Sequence, residues 1–345
     1  MRNWLNYFSG LVVAVLYATS VQAAHTHKHH KEHHGSKHHT TKIADRYESY
    51  EGLQQGLREA GLQSSNLIIA IDFTGSNTKQ GKNTYAKNMP AADQKTFSNL
   101  HWVHPQWPNP YQQAITIISR TLAVFDADQK YPVFGFGDTK TQDKSVFEIG
   151  LGEGPCTGVE QVMQAYQTIL PTIKMDGPTS FAPAIEKAIE IVHANNGAYH
   201  ILIIITDGFI SEDLEQFNIA TLKKASLFPL SIIIVGVGDG NKGNFDQMKR
   251  IDDDVDNRLF DNVQFVQLAR IMSDNQNDVQ TMEIEFAVKA LMEIPAQYKT
   301  MQEHGMFKAG YNDKILTKAL KRNMTKGSDC KKIDEKIHAL KKKAF

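Results

Sequence analysis

Asn66–Asn77 reads NLIIAIDFTGSN, and the rest of the chain is organised around it. Leu67 to Ile71 is a short apolar run of the kind that fills a strand buried on both faces. It stops at Asp72, Thr74 and Ser76, three oxygen side chains at alternate positions where a strand's carboxyl end turns into a loop. Gly75 between the two hydroxyls suits a tight turn that lets both face inward. Two later stretches supply matching groups: GPTSF, with Thr179, and ILIIITDG, where a second apolar run ends in Asp207. In an open α/β sheet the carboxyl ends of neighbouring strands converge on a ligand crevice. Two carboxylates and three hydroxyls make an all-oxygen set. It suits a hard divalent cation whose shell is completed by water or by a partner's carboxylate.

Outward from this stretch, strand-length apolar runs alternate with helical ones. Residues 131–137, 201–205, 230–237 and 263–268 read as strands, and 145–149 as a short edge strand. Residues 43–62, 110–122, 158–170, 212–227 and 280–292 read as helices, as does a run carrying Ala184, Ile185, Ala188, Ile189 and Val192 on one face and ending near Asn196-Gly197. That alternation predicts an α/β fold: a doubly wound, mostly parallel sheet with helices on both faces. Residues 79–107 have little periodicity and carry Trp102 and Trp107, an aromatic cluster that either packs on the sheet edge or forms a partner-binding rim. The aspartates at 252, 253, 254 and 256 lack the glycine and the spaced glutamate of an EF-hand, so they read as a solvated loop. GLGEGP lacks the spacing and the following lysine of a phosphate-binding loop, which argues against a nucleotide.

The zero net charge hides a division. Residues 43–298 hold 20 Lys and Arg against 32 Asp and Glu, whereas residues 299–345 hold 13 against 5. An acidic body therefore precedes a basic tail, which can dock on that body or lie on an anionic membrane surface. No nucleic-acid partner is expected. Residues 1–23 read as a secretory signal, with Arg2 before an apolar core and small residues at Val21-Gln22-Ala23. The protein is therefore expected to be exported, to a periplasm or beyond. Residues 24–42 form a tract with His25, His27, His29, His30, His33, His34, His38 and His39, able to bind transition metals loosely. The body is 43–298, and Cys156 and Cys330 read as separate thiols rather than a disulfide framework.

Seven blocks in order (DFTGSN, NPYQQAI, FGFGD, GPTSFAPAI, YHILIIITDG, PLSIIIVGVGDG and FDNVQFVQL) resemble the von Willebrand factor type A domain of copines and of the copine-related plant ubiquitin ligases. The resemblance spans roughly residues 60–290. It implies a metal-ion-dependent adhesion site in which Thr74 and Ser76 contact Mg2+ or Mn2+ directly. Thr179 would bind directly or through water, and Asp72 and Asp207 mainly through water. The copine pattern usually carries a lysine where this chain has Gly75, which alters the charge of the rim. Copines carry paired lipid-binding domains before this one, and the plant ligases carry a zinc-binding ring domain after it. Neither has a counterpart here, so ubiquitin transfer is not implied.

The expected function is a divalent-metal-dependent protein-binding module that engages a Glu or Asp carboxylate, with Gly75, Trp102, Trp107 and Tyr111 forming the rim. No catalytic residue is assigned. A metal-assisted hydrolase using the carboxylate pair is the alternative, and a structural protein acting through its His-rich or basic termini is another. Changing Asp72 is expected to lose metal without unfolding the domain, as for an ordinary ligand on a surface loop.

Overall fold

The computed structural model describes residues 42–315 except 44–46, 63–64, 123–125, 127, 209, 240–244, 276–277 and 312–313. Residues 1–23, expected as a secretory signal, the histidine tract, Cys330 and the basic tail from 316 onward lie outside the described residues. Among the described residues, eight strands occur in chain order: β1 (Asn66–Asp72), β2 (Lys130–Tyr131), β3 (Val133–Phe136), β4 (Val146–Glu148), β5 (Cys156–Thr157), β6 (His200–Thr206), β7 (Leu230–Gly236) and β8 (Val263–Gln267). Six of them form one sheet in the order β4-β3-β1-β6-β7-β8. All its neighbours are parallel except the β3–β4 pair. The fold is the expected α/β architecture, with helices on both faces.

Period-two alternation sorts the side chains of the central strands between two cores. Leu67, Ile69 and Ile71 of β1 join Ile201, Ile203 and Ile205 of β6 and Ile233 and Val235 of β7 in one apolar layer. Leu53 and Leu57, Ala114 to Ile118, Val162 to Tyr166, and Phe286 to Leu291 cover that layer from the helices Tyr50–Glu59, Pro110–Leu122, Gly158–Ile169 and Val279–Leu291. Ile68 and Ala70, Leu202 and Ile204, and Ile232 and Ile234 face the other layer. There Ala184, Ile185, Ala188, Ile189 and Val192 of helix Ala182–Ala194 pack beside Leu222, Met248 and Ile251. Each fully buried Ile or Leu is worth about 1.5–3 kcal/mol. This is why the strands read as unbroken apolar runs.

Several boundaries differ from the sequence reading. The first helix is Tyr50–Glu59, shorter than 43–62, because Ser49 caps it: its Oγ accepts the Gly52 N–H at 3.1 Å. Residues 131–137 split into β2 and β3 because Pro132 has no N–H to continue a ladder. β2 instead pairs antiparallel with β5. Cys156 in β5 is a buried free thiol. The acidic stretch at 252–256 is not simply solvated. Helix Asp246–Asp253 ends there, and the buried Arg258 guanidinium donates to the Asp252 carbonyl at 2.7 Å and pairs with Asp261 at 2.7 Å. No helix among the described residues is long and apolar enough to cross a membrane.

Candidate metal centre

β1 and β6 run parallel and adjacent, so their carboxyl ends bring Asp72 and the Thr206-Asp207 pair to one edge of the sheet. Both carboxylates are buried. The loop after β1 folds around Asp72: its Oδ1 accepts the Thr74 N–H at 2.8 Å and the Asn77 amide at 3.2 Å. Such a side-chain turn is what an aspartate two residues before a turn favours. Residues Gly75–Thr78 then make one 3-10 turn. The turn brings the Thr74 and Ser76 hydroxyls within 2.9 Å of each other, and Ser76 donates to Asp207 Oδ1 at 2.9 Å. Thr206 donates to Asp72 Oδ2 at 2.6 Å, and the Gln80 amide donates to Asp207 Oδ2 at 2.8 Å.

Thr179 arrives from a third loop, before helix Ala182–Ala194. Gly75 N–H donates to the Gly177 carbonyl at 3.1 Å, and Gly177 N–H donates to the Gly137 carbonyl at 3.0 Å. Two glycines permit this approach. A Cβ on Gly177 would strike the Gly137 carbonyl oxygen, and one on Gly137, whose φ is +79°, would strike the Thr74 methyl. The backbone of Thr179 is held on both sides, its N–H by Ser211 Oγ at 3.2 Å and its carbonyl by the Ser211 N–H at 3.1 Å. Its hydroxyl has no hydrogen-bond partner among the described residues.

The electrostatics of this edge are unbalanced. Burial pushes the Asp72 carboxyl above the usual carboxylate range, against hydrogen bonds from Thr206, Thr74 and Asn77 that favour its charge. Burial and then the Asp72 charge push Asp207 well above that range. No group of three or more His, Cys, Asp or Glu side chains gathers among the described residues. Any cation here would therefore rest on two carboxylates and on hydroxyls. The donor set fits a hard divalent ion: it is all oxygen, includes two carboxyls whose charged form burial disfavours, and includes one hydroxyl with no other partner.

The rim differs from the sequence expectation. Tyr111 is fully buried, and its hydroxyl donates to Asn77 Oδ1 at 2.6 Å, so it braces the site and presents no surface. Trp102 is half-buried, packed edge-on against Phe97, and Gly75 is half-buried in the 3-10 turn. The exposed apolar residues of this loop are Val103, at 48%, and Trp107, at 38%. Sequence reading also missed Asn77, Gln80 and Thr206, which hold the carboxylates, and His101, which meets the Asp72 backbone carbonyl. Asn77 and Thr206 stand directly beside Ser76 and Asp207 in the chain, which was the available signal.

The family model for copine matches residues 99–310, more than half of the chain. The chain belongs to the copine family. Among curated relatives, the copine domain here is 44% identical over 276 residues to the E3 ubiquitin-protein ligase RGLG5 of Arabidopsis thaliana, covering 77% of this chain and 60% of that protein. It is 41% identical over 265 residues to Copine family protein 2 of Caenorhabditis elegans, covering 76% of this chain and 3% of that one. The chain thus spans less than two thirds of the length of these relatives. Among solved structures it is similar to a von Willebrand factor type A protein from Catenulispora acidiphila. That likeness has a TM-score of 0.39 and 14% identity, covering 68% of this chain and 43% of that one. Homology to the copine family supports a protein-interaction module.

Proposed function

We propose that this copine domain binds partner proteins through a divalent cation, Mg2+ or Mn2+, held by Asp72, Thr74, Ser76, Thr179 and Asp207. The observation that carries the reading is the buried pair of carboxylates, Asp72 accepting from Thr206 and Asp207 from Ser76, beside a loop whose Thr179 hydroxyl has no other partner among the described residues. The cation supplies charge compensation and an open position for a hard anionic oxygen. A Glu or Asp side chain of the partner is the matching group. The chain's own residues do the positioning. Thr206 and Asn77 orient Asp72, Gln80 and Ser76 orient Asp207, and the Gly75–Gly177 bond holds the Thr179 loop against the first.

Calorimetric titration with Mg2+ and Mn2+ tests the metal half. Thr179→Ala is the cleaner probe, because its hydroxyl makes no bond whose loss would destabilise the fold. It is expected to lose cation affinity and keep its stability. Asp72→Ala is not the harmless loop change that the sequence suggested. Asp72 is buried and accepts three hydrogen bonds, from Thr74, Asn77 and Thr206, so its removal strands buried donors. Equal binding by wild type and Thr179→Ala overturns the reading. Partner capture should be lost in chelator and in Thr179→Ala alike.

A further inference from the structure

One buried histidine ties the candidate metal centre to the loop that carries the exposed rim. His101 lies in the segment between β1 and helix Pro110–Leu122, with its ring stacked between Tyr111, at 3.9 Å, and Phe73, at 4.5 Å. Its Nε2 is 2.8 Å from the backbone carbonyl of Asp72, and its Nδ1 is 2.8 Å from the Tyr166 hydroxyl. A carbonyl can only accept, so Nε2 carries the proton and Nδ1 accepts from Tyr166. Burial holds the ring neutral, with its pKa pushed down to about 3. The same segment is stitched to the site at a second point. Leu100 N–H donates to the Asn77 carbonyl at 3.0 Å, while Asn77 donates to Asp72 Oδ1 and accepts from Tyr111. Val103 and Trp107, the exposed apolar residues, follow His101 by two and six positions.

We propose that His101 is a positioning residue: it fixes the backbone of Asp72 and pins the 97–109 segment to it. The cation site and the apolar rim are thereby held as one surface. This rests on the cation-binding reading above. If His101 only filled space, any planar ring would serve. The geometry shows instead a directional relay, Tyr166 to His101 to Asp72, aimed at the backbone of a cation ligand. Partners that orient metal ligands in this way typically control affinity by about 10- to 100-fold.

The test is the double variant His101→Phe/Tyr166→Phe, which keeps the stacked rings, removes both hydrogen bonds together with the longer one from Tyr166 to Asn109 Oδ1 at 3.4 Å, and leaves no hydroxyl stranded. Mn2+ alone is the probe, titrated by calorimetry, with urea unfolding measured in parallel. Amide hydrogen exchange is followed at residues 99–104. The expected result is a loss of Mn2+ affinity of about 10- to 100-fold in a folded protein, with faster exchange at Leu100 and His101 before any metal is added. Mn2+ should slow exchange in this segment in the wild type and not in the double variant. Wild-type affinity and unchanged exchange in the double variant overturn the proposal. If the wild type itself binds no Mn2+, the cation-binding reading fails, and the metal-free exchange decides whether His101 pins the 97–109 segment. Faster exchange at Leu100 and His101 in the double variant upholds it, and equal exchange overturns it. Tyr166→Phe alone, which deletes one hydroxyl, gives a smaller effect in the same direction and serves if the double variant is unstable.

Discussion

Asp207→Asn should make the chelated protein more stable while removing its response to cation. In the metal-free state the Asp207 carboxyl is buried beside Asp72, and both are held above the usual carboxylate range. A carboxyl raised by folding contributes stability that is fully present below its unfolded value, here 3.8, and is lost as pH rises through the folded value. As pH rises through the folded values, the fold therefore carries the cost of charging two confined carboxyls. Asparagine keeps the shape and the bonds. Its oxygen can accept from Gln80, as Asp207 Oδ2 does at 2.8 Å, and its amide can donate to Ser76, which now sits 2.9 Å from Oδ1.

The gain in chelator near pH 7 should be about 1–3 kcal/mol, the usual cost of an incompletely compensated buried polar group. For a domain of this size that raises Tm by about 2–4 °C per kcal/mol. Near pH 4 the gain shrinks, because the wild-type carboxyl is then protonated. Saturating Mg2+ or Mn2+ should raise the wild type by about 2.7 kcal/mol at a hundredfold excess over Kd and leave the variant unmoved. Urea unfolding at the two pH values, with chelator or cation, measures all four corners. A variant less stable than wild type in chelator near pH 7, or a gain independent of pH, refutes the reasoning.

Arg258→Met should cost about 3–5 kcal/mol in urea unfolding, because it strands the buried Asp261 carboxylate. Burial already raises that carboxyl against the pull of Arg258, so the deficit should be smaller near pH 4 than near pH 7. Gly177→Ala should lower stability by about 1–3 kcal/mol through its clash with the Gly137 carbonyl and weaken cation binding by displacing the Thr179 loop. Trp107→Ala should leave Mn2+ affinity unchanged and weaken capture of a partner, since exposed aromatics beside a charged contact carry interface energy. Amino-terminal sequencing of protein recovered from an exporting host should give a mature start at Ala24, and an intact Met1 would remove the export proposal.

The layering of the fold was legible because buried parallel strands leave an unmistakable trace. Leu67 to Ile71 and Ile201 to Ile205 are apolar at every position since both faces are covered. The boundaries were less legible, because they depend on single groups that periodicity does not weigh. Ser49 starts a helix seven residues later than the Leu spacing suggested, and Pro132 divides a run that reads as one strand. The Arg258–Asp261 pair was hidden for a different reason. A charged residue among aspartates reads as solvent-facing, and only the return of the chain at β8 shows that it is buried.

The candidate site divides along the same line. The groups that point into it could be read from the chain because each ends an apolar run or sits at a turn apex. The groups that hold them could not, because their roles arise from contacts distant in sequence: Thr206 reaches Asp72 across 134 positions, Gln80 reaches Asp207 across 127, and His101 reaches Tyr166 across 65. Tyr111 shows what this costs an argument from sequence. An aromatic near a binding loop looks like a rim residue, yet here its ring covers His101 and its hydroxyl holds Asn77. Aromatic content in the 79–111 stretch therefore serves two ends. Tyr111, Phe97 and Trp102 pack into the body, while Trp107 and Val103 of the same stretch stay exposed.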